Sequence, residues 1–353
     1  PESRGDRLCK TAQSRMNGRE DPVAKKVTMT EIARELGVSR SLVSYALKDK
    51  YGVSESMRQK IIEKAIEMGY YKTPHATIKM SKNILIVIGE EYLGETSFFA
   101  RIISGIEYFS LSKKFIPQIV EMKDHENINR ILSRIIELKP QGVIVIRQLD
   151  KQLAKGFTLL NVPLVFIDLI SLTSDCYEVR VNNFGNMYEM TKRLIDKGYA
   201  DLCFVGDIDW ALSFRERYNG FLYACREYGV RCHGVTGKSN RNEPLDEDAF
   251  ADYIRQNDGQ AIVCASDGIA VSVYRIIREA GKRIPKDFAV VGFDDVYFSS
   301  QMDPPLTTMH VPRYDLGRVA FELLYEQISY GRGQSRVICL NARYVERDSV
   351  LDK

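Results

Sequence analysis

Seven cysteines, four histidines and one tryptophan among 353 residues leave little material for disulfide, metal or redox chemistry. The cysteines (Cys9, Cys176, Cys203, Cys225, Cys232, Cys264, Cys339) are odd in number, scattered and never spaced C-x-x-C. Several sit inside apolar runs, so they read as buried free thiols of a reducing compartment, not as a disulfide frame or zinc site. His75, His125, His233 and His310 lie far apart and form neither an H-E-x-x-H pair nor a recognisable triad. No G-x-G-x-x-G or G-x-x-x-x-G-K-[ST] follows a strand-like run, which argues against an enzyme that cradles a nucleotide. No metal and no cofactor are expected. Apolar segments are too short for a bilayer span and none resembles a signal-peptide core, so a cytoplasmic protein without membrane association is expected.

Overall charge is also sparse, at +3, but it is unevenly spread. Between Lys26 and Asn83 eleven Lys and Arg face six Asp and Glu, a local excess of +5. Residues 1–25 add +2, which leaves the remaining chain at −4. A basic segment on a mildly acidic body suits a module that meets phosphates while the body is repelled by them.

The basic segment has a specific pattern, VTMTEIARELGVSRSLVSYAL from Val27 to Leu47. Thr28 and Glu31 have the spacing of a reciprocal capping box. Ile32, Ala33 and Leu36 recur at helical spacing, and Gly37 can end the helix in a left-handed turn. Ser39 caps a second helix with Val43, Ala46 and Leu47 inward. Arg40, Ser41, Ser44 and Tyr45 are left on the outer face near its start. A third helix begins at Ser54, with Met57, Ile61, Ile62, Ala65 and Ile66 as its apolar stripe. This register is that of a helix-turn-helix, whose second helix presents its first residues to the DNA major groove. Three ordinary amphipathic helices would not need cap, turn, apolar and exposed polar positions to fall together in this way.

The order T-x-x-E-I-A, G-V-S, V-S and V-S-x-x-x-R, from Val27 to about Tyr71, closely resembles the headpiece of the lactose/galactose repressor family. That resemblance implies DNA contacts from Thr28, Ser39, Arg40, Ser41, Ser44, Tyr45 and Lys48. Residues 1–25 are polar and aperiodic and read as a disordered tail. The linker Pro74-His75-Ala76-Thr77-Ile78-Lys79-Met80 departs from the family's P-N-x-x-A-R-x-L, which forms a short hinge helix on the operator. Met80 is the apolar residue left to act as a minor-groove wedge, against the plain alternative of a linker methionine packed on the core.

From Asn83 onward, apolar strand-like runs (NILIVIG, GVIVI, LVFID, DLCFVGD, AIVCAS, FAVVGFD) alternate with amphipathic helices. Strict alternation over this length predicts doubly wound parallel sheets, and two successive series predict two lobes with a cleft. Here FFARIISGIE, NVPLVFID, VRVNNFG, RYNGF and VVGFDD followed by PPLTTMH resemble the effector-binding core of the same family, which shares its fold with periplasmic sugar-binding proteins. The expected organisation is a tail (1–25), a helix-turn-helix headpiece (26–72), a hinge linker (73–83) and an effector-binding, dimerising core (84–353). Within the core the N-lobe is expected at 84–183 and 310–332 and the C-lobe at 184–304 and 336–353. The chain would cross between them near Asn183, Pro304–His310 and Gly331–Arg336.

Ligands of open parallel sheets bind outside the carboxyl ends of the strands. The sequence places Asp168, Asp207, Asp209, Ser266, Asp267, Asp294 and Asp295 at such ends, with Asp267 reading as a helix cap. Carboxylates beside one arginine suit a ligand rich in hydroxyls. The resemblance implies effector contacts from Phe98, Phe99, Asp168, Arg217, Ser266 and Asp294. Ser266 stands where the family often has Asn, which offers fewer hydrogen bonds and points away from the commonest sugars. A transport binding protein would share the core but not the fused headpiece. The expectation is therefore a transcriptional regulator, a homodimer on palindromic double-stranded DNA, switched by a small molecule of the carbohydrate class.

Overall fold

The computed structural model describes residues 27–47, 52–68, 70, 82–90, 98–123, 128–146, 151–168, 176–209, 211–235 and 245–353. The expected tail, nearly all of the hinge linker, and the two predicted DNA contacts Lys48 and Met80 lie outside them. The chain divides into two units, Pro1–Pro74 and His75–Lys353.

The first unit contains α1 (Met29–Leu36), α2 (Arg40–Leu47) and α3 (Glu55–Glu67). Thr28 and Glu31 close the capping box reciprocally: Thr28 N–H donates to Glu31 Oε2 at 2.8 Å, and Glu31 N–H donates to Thr28 Oγ1 at 3.3 Å. Gly37 ends α1 at φ +64°, a left-handed conformation that costs glycine nothing. Ser39 Oγ then accepts from Leu42 N–H at 3.1 Å and starts α2. Ile32, Ala33, Val43, Ala46, Leu47, Ile61, Ile62 and Ala65 bury one small core between the three helices. Arg58 performs a task the sequence did not announce. Its Nη1 donates to the Ala46 carbonyl at 3.0 Å, satisfying an orphan acceptor at the end of α2 and tying α3 to it.

In the second unit, β1 (Asn83–Gly89), β2 (Ile116–Met122), β3 (Gly142–Ile146), β4 (Leu164–Ile167), β5 (Glu178–Val181) and β11 (Val337–Leu340) form a parallel sheet in the order β11-β5-β4-β3-β1-β2. Strand β1 shows why such strands are apolar throughout. Ile84, Ile86 and Ile88 face α4 (Phe98–Ser112) and α11 (Arg313–Tyr330) in one core layer. Leu85 and Val87 face α5 (Ile128–Leu138) and α6 (Lys151–Thr158) in the other. The C-lobe repeats the plan with β7 (Arg231–Val235), β6 (Asp201–Val205), β8 (Ala261–Cys264) and β9 (Ala289–Val291), in that spatial order. Around it lie α7 (Asn183–Asp196), α8 (Leu212–Tyr228), α9 (Glu247–Gln256), α10 (Asp267–Glu279) and a 3-10 turn, Tyr297–Ser300. A small antiparallel pair, β10 (Thr308–His310) with β12 (Arg343–Val345), closes the C-lobe edge.

Two of the expected crossings need correction. Strand β11 pairs in parallel with β5, so residues 337–340 belong to the N-lobe sheet and not to the C-lobe. The third crossing is therefore at Asn341–Ala342, before β12. The second follows His310 at Val311–Pro312, because Thr307 and Thr308 are bonded into the C-lobe by Ser349 and Asp267. An edge strand with alternating exposure fits either sheet from its own pattern, and only pairing decides. The first crossing falls at Asn182–Asn183, and Asn182 Nδ2 donates to Asn341 Oδ1 at 2.9 Å, joining it to the third.

The two helices that follow a crossing, α11 and α7, pack on α4 and α8 with glycine at the contact. A Cβ on Gly317 of α11 would stand 2.0 Å from the Ile102 carbonyl of α4, and one on Gly105 2.2 Å from the Tyr314 carbonyl. Gly220 of α8 meets the Phe184 carbonyl of α7 in the same way, at 2.3 Å. Backbone atoms cannot rotate aside as a side-chain end can, so the clash outweighs the ~1 kcal/mol by which alanine favours a helix over glycine. Gly317→Ala is expected to lower unfolding free energy by about 1–3 kcal/mol in urea titrations, the usual cost of overpacking. An unchanged or higher midpoint would contradict this packing.

Candidate functional site

The DNA-reading face is built by α2. Arg40 and Ser41 are exposed in its first turn, Ser44 is half-buried, and Tyr45 is 46% exposed. Val43, Ala46 and Leu47 are buried on the opposite side and fix the helix rotation. No acidic residue occupies the first turn, so the helix dipole and Arg40 together present positive potential there. Thr28 and Ser39 are exposed at the starts of α1 and α2, and each hydroxyl already caps its helix.

The second constellation gathers at the carboxyl ends of the strands, with Arg217 of α8 at its centre. Arg217 is 3% exposed. Its Nε donates to Asn183 Oδ1 at 3.0 Å, Nη1 to the Ala265 carbonyl at 2.6 Å, and Nη2 to Asp294 Oδ1 at 3.3 Å. The guanidinium lies over the Phe293 ring at 3.8 Å, a stacked cation–π contact. Asn183 donates in turn to Glu216 Oε2 at 3.2 Å, and Glu216 faces Arg180 of the N-lobe at 3.7 Å. The network thus runs from β5 across the first crossing to the end of β9.

Backbone strain concentrates at the same place. Asp168, Asp294 and Asp295 have φ of 56°, 120° and 52°, conformations uncommon outside glycine, and all three directly follow sheet strands or their extensions. Non-glycine strain of this kind costs about 1–3 kcal/mol per residue and clusters at functional sites. Asp295 Oδ2 bonds His310 Nδ1 at 2.8 Å and its Oδ1 accepts from Arg347 at 2.6 Å, so it ties β12 and β10 to the end of β9. Asp294 is left facing Arg217.

Ser266, and not the expected Asp267, caps α10, its hydroxyl accepting from Ile269 N–H at 3.3 Å. Asp267 is fully buried inside the first turn, accepting from Ser299, Thr308 and the Val296 N–H at 2.5, 2.6 and 3.1 Å. It fastens the 3-10 turn and β10 to α10 and does not reach a ligand. Ser266 retains only its hydroxyl proton for donation outward.

Phe98 and Phe99 stand at the start of α4, beyond the carboxyl end of β1, edge to face at 5.0 Å and both partly exposed. Arg313 at the start of α11 lies over the Phe98 ring at 5.7 Å and donates to the Asp295 carbonyl at 2.8 Å. Asp168, Arg217, Asp294 and Phe98 are therefore brought to one region. Asn183, Glu216, Phe293 and Arg313 join them without having been singled out from the sequence. The N-N-F-G and G-F-D-D motifs contained the signal for Asn183 and Phe293, but Glu216 and Arg313 have no motif of their own. Two grooves of about 470 and 570 Å³ open at the other end of the N-lobe sheet, beside Tyr177, Arg332 and Gly333. Arg332 is used there to bond the Leu160 and Val162 carbonyls.

Burial pushes the Asp168 carboxyl up to about 6, with Arg217 opposing and Glu178 and Glu216 adding to the rise. Its Oδ1 has no hydrogen-bond partner. A folded-state value above the unfolded one means that stability is lost as pH rises from about 4 through 6, and the penalty is complete at pH 7. Asp168→Asn, which tolerates a left-handed backbone, is expected to raise stability at pH 7 by about 1–3 kcal/mol and to show no gain below pH 4. Paired denaturant titrations at the two pH values check this, and an equal effect at both would contradict it.

Comparison with known proteins agrees with this layout. A family model described as bacterial regulatory proteins, lacI family, matches residues 28–73, and one described as a periplasmic binding protein-like domain matches residues 191–350. The ribose operon repressor of Escherichia coli strain K12 is 28% identical over 335 residues, covering 91% of this chain and 99% of that protein. The HTH-type transcriptional repressor PurR of Vibrio vulnificus is 27% identical over 334 residues, covering 92% and 98%. Among solved structures, a transcriptional regulator CelR–cellobiose complex aligns with TM-score 0.66 at 22% identity over 92% of this chain and 99% of that one. The lac repressor dimer bound to operator and the anti-inducer ONPF aligns with TM-score 0.66 at 21% identity over 93% and 100%. The chain thus joins a lacI-family DNA-binding domain to a periplasmic binding protein-like domain, in the order found in repressors that match nine-tenths of its length.

Proposed function

We propose that this protein is a cytoplasmic homodimeric repressor that reads a palindromic operator through α2 and releases or grips it when a carbohydrate-like effector enters the cleft between its lobes. The observation that carries the effector reading is Arg217. It is buried, bonded on three sides at the carboxyl ends of the strands, and linked through Glu216 to Arg180 of the other lobe. One relative is named for the ribose operon, and a solved neighbour in the fold holds ribose, which favours a small polyhydroxylated ligand. In the cleft Arg217 and Asp294 would hold the ligand's polar edge, Asp168 would accept from the N-lobe side, and Phe98 and Phe99 would cover its apolar face. Ser266 would contribute at most a donated hydroxyl proton.

A dimer suits the surface as well as the DNA. Tyr108, Leu111 and Ile116 expose apolar area beside the edge strand β2, and Val271, Tyr297 and Phe298 do so on the C-lobe. Large exposed apolar side chains grouped on both lobes fit a continuous interface between two copies. Two headpieces held at fixed spacing then read two half-sites, since one headpiece covers too little DNA for strong discrimination.

Arg40→Ala is expected to relax sequence preference by about 1–3 kcal/mol, the worth of one bidentate guanine contact, without altering the fold. Gel retardation on operator and random DNA measures it, and equal weakening on both would assign Arg40 to phosphate alone. For the effector, Arg217→Ala and Asp294→Ala are expected to abolish ligand binding, since losing a partner from a desolvated charged contact costs about 2–5 kcal/mol. With an inducer, both variants keep operator binding and lose its release. With a corepressor, both lose operator binding at every ligand concentration. Calorimetry with a sugar identified by thermal-shift screening, run beside operator titration, separates these outcomes, and unchanged affinity in both variants would place the pocket elsewhere.

A further inference from the structure

Resting on the cleft as the effector site, we propose that Arg313, assisted by Arg101, recognises an anionic group on the effector, so that the ligand is a sugar phosphate or sugar acid and not a neutral sugar. Arg313 occupies the first position of α11, directly after the second crossing. Its guanidinium lies over the Phe98 ring at 5.7 Å, beside the residue expected to cover the ligand. Among the described residues the guanidinium's one hydrogen bond goes to the main-chain carbonyl of Asp295, at 2.8 Å. Arg101, one helical turn beyond Phe98, lies over the Tyr314 ring at 5.9 Å and forms no ion pair among the described residues. Two guanidinium groups thus approach one another on α4 and α11 with most of their donors unused.

The neighbouring carboxylates do not neutralise them. Both oxygens of Asp295 are taken, by His310 and by Arg347, and Asp294 is engaged by Arg217. Asp267 is enclosed by Ser299, Thr308 and Val296. Burial works against the charge on Arg313, the carboxylates of Asp294, Asp295 and Asp267 offset part of that, and Arg101 adds a smaller repulsion. A half-buried arginine without a carboxylate of its own is costly unless something supplies the countercharge. Guanidinium presents a planar fork that matches phosphate and carboxylate oxygens. Elsewhere on the protein arginines find carboxylates readily: Arg318 pairs with Asp315 and Glu322 on the same helix, and Arg275 with Glu247 and Glu279. Arg313 and Arg101 have no such pair among the described residues, and Arg313 stands beside Phe98 and Asp295 at the cleft.

The test uses matched pairs on the full chain: glucose with glucose 6-phosphate and with gluconate, and ribose with ribose 5-phosphate, by thermal shift and calorimetry. The expected result is that at least one anionic probe binds about tenfold or more tightly than its neutral parent. In Arg313→Gln that preference disappears, and Arg313→Lys, which keeps the charge but not the fork, retains part of it. Melting of the unliganded variants shows that each is folded. A neutral parent that binds as well as its anion, an anionic preference that survives in Arg313→Gln, or no binding by any anionic probe each overturns the inference. Neutral sugars that bind wild type and fail with Arg217→Ala would leave the cleft reading standing while the charge inference falls. Absence of binding by neutral and anionic probes alike would count against both.

Discussion

The buried guanidinium of Arg217 is the contact on which the core's geometry depends. Its donors reach the first crossing through Asn183, the end of β8 through the Ala265 carbonyl, and the end of β9 through Asp294. A charge removed from water is tolerated only when its donors are satisfied and its face is covered, and Phe293 covers it at 3.8 Å. The strained backbone of Asp294 serves the same requirement, since its carboxylate accepts from Arg217, and that of Asp295 next to it turns its carboxylate to His310 and Arg347.

Much of this was legible in the sequence. Caps and turn residues announced the helix-turn-helix, because Thr28, Glu31, Gly37 and Ser39 act within a few residues of themselves and need no tertiary context. Continuous apolar runs announced the parallel sheets, because β1 buries both of its faces. What remained hidden depends on partners far along the chain. Nothing in VICL reveals that β11 pairs with β5 rather than with the C-lobe. Nor does the run Cys-Ala-Ser-Asp show which of Ser266 and Asp267 caps α10, since both are good caps. The choice falls to Ser299 and Thr308, more than thirty residues away, which draw Asp267 inward. The same holds for Arg58, whose acceptor lies on the preceding helix.

Helix α11 meets α4, and α7 meets α8, at glycines where the backbones nearly touch, so the first two crossings lead straight into closely packed helix pairs. A hinge between the lobes would therefore fall at the short connectors Asn182–Asn183, Val311–Pro312 and Asn341–Ala342. A hinge of this kind needs few residues, and the Asn182–Asn341 hydrogen bond couples two of its three strands so that they move together.

The strength of the polar link between the lobes decides who controls that hinge. The Arg180–Glu216 pair spans them at 3.7 Å with both side chains about a quarter exposed, a geometry worth about 0–1 kcal/mol. The bonds of Arg217 are buried, but they lie within the C-lobe and at the first crossing, so they organise one wall of the cleft without closing it. Arg313 of α11 adds a hydrogen bond to the Asp295 carbonyl across the same gap at 2.8 Å, so the polar link between the lobes consists of a few contacts and not one ion pair. A ligand acts only through its difference in affinity for two states, and allosteric couplings are typically about 1–3 kcal/mol. An effector held as proposed, by Arg217 and Asp294 on one side and the start of α4 on the other, would act on the angle between the lobes through contacts of comparable worth.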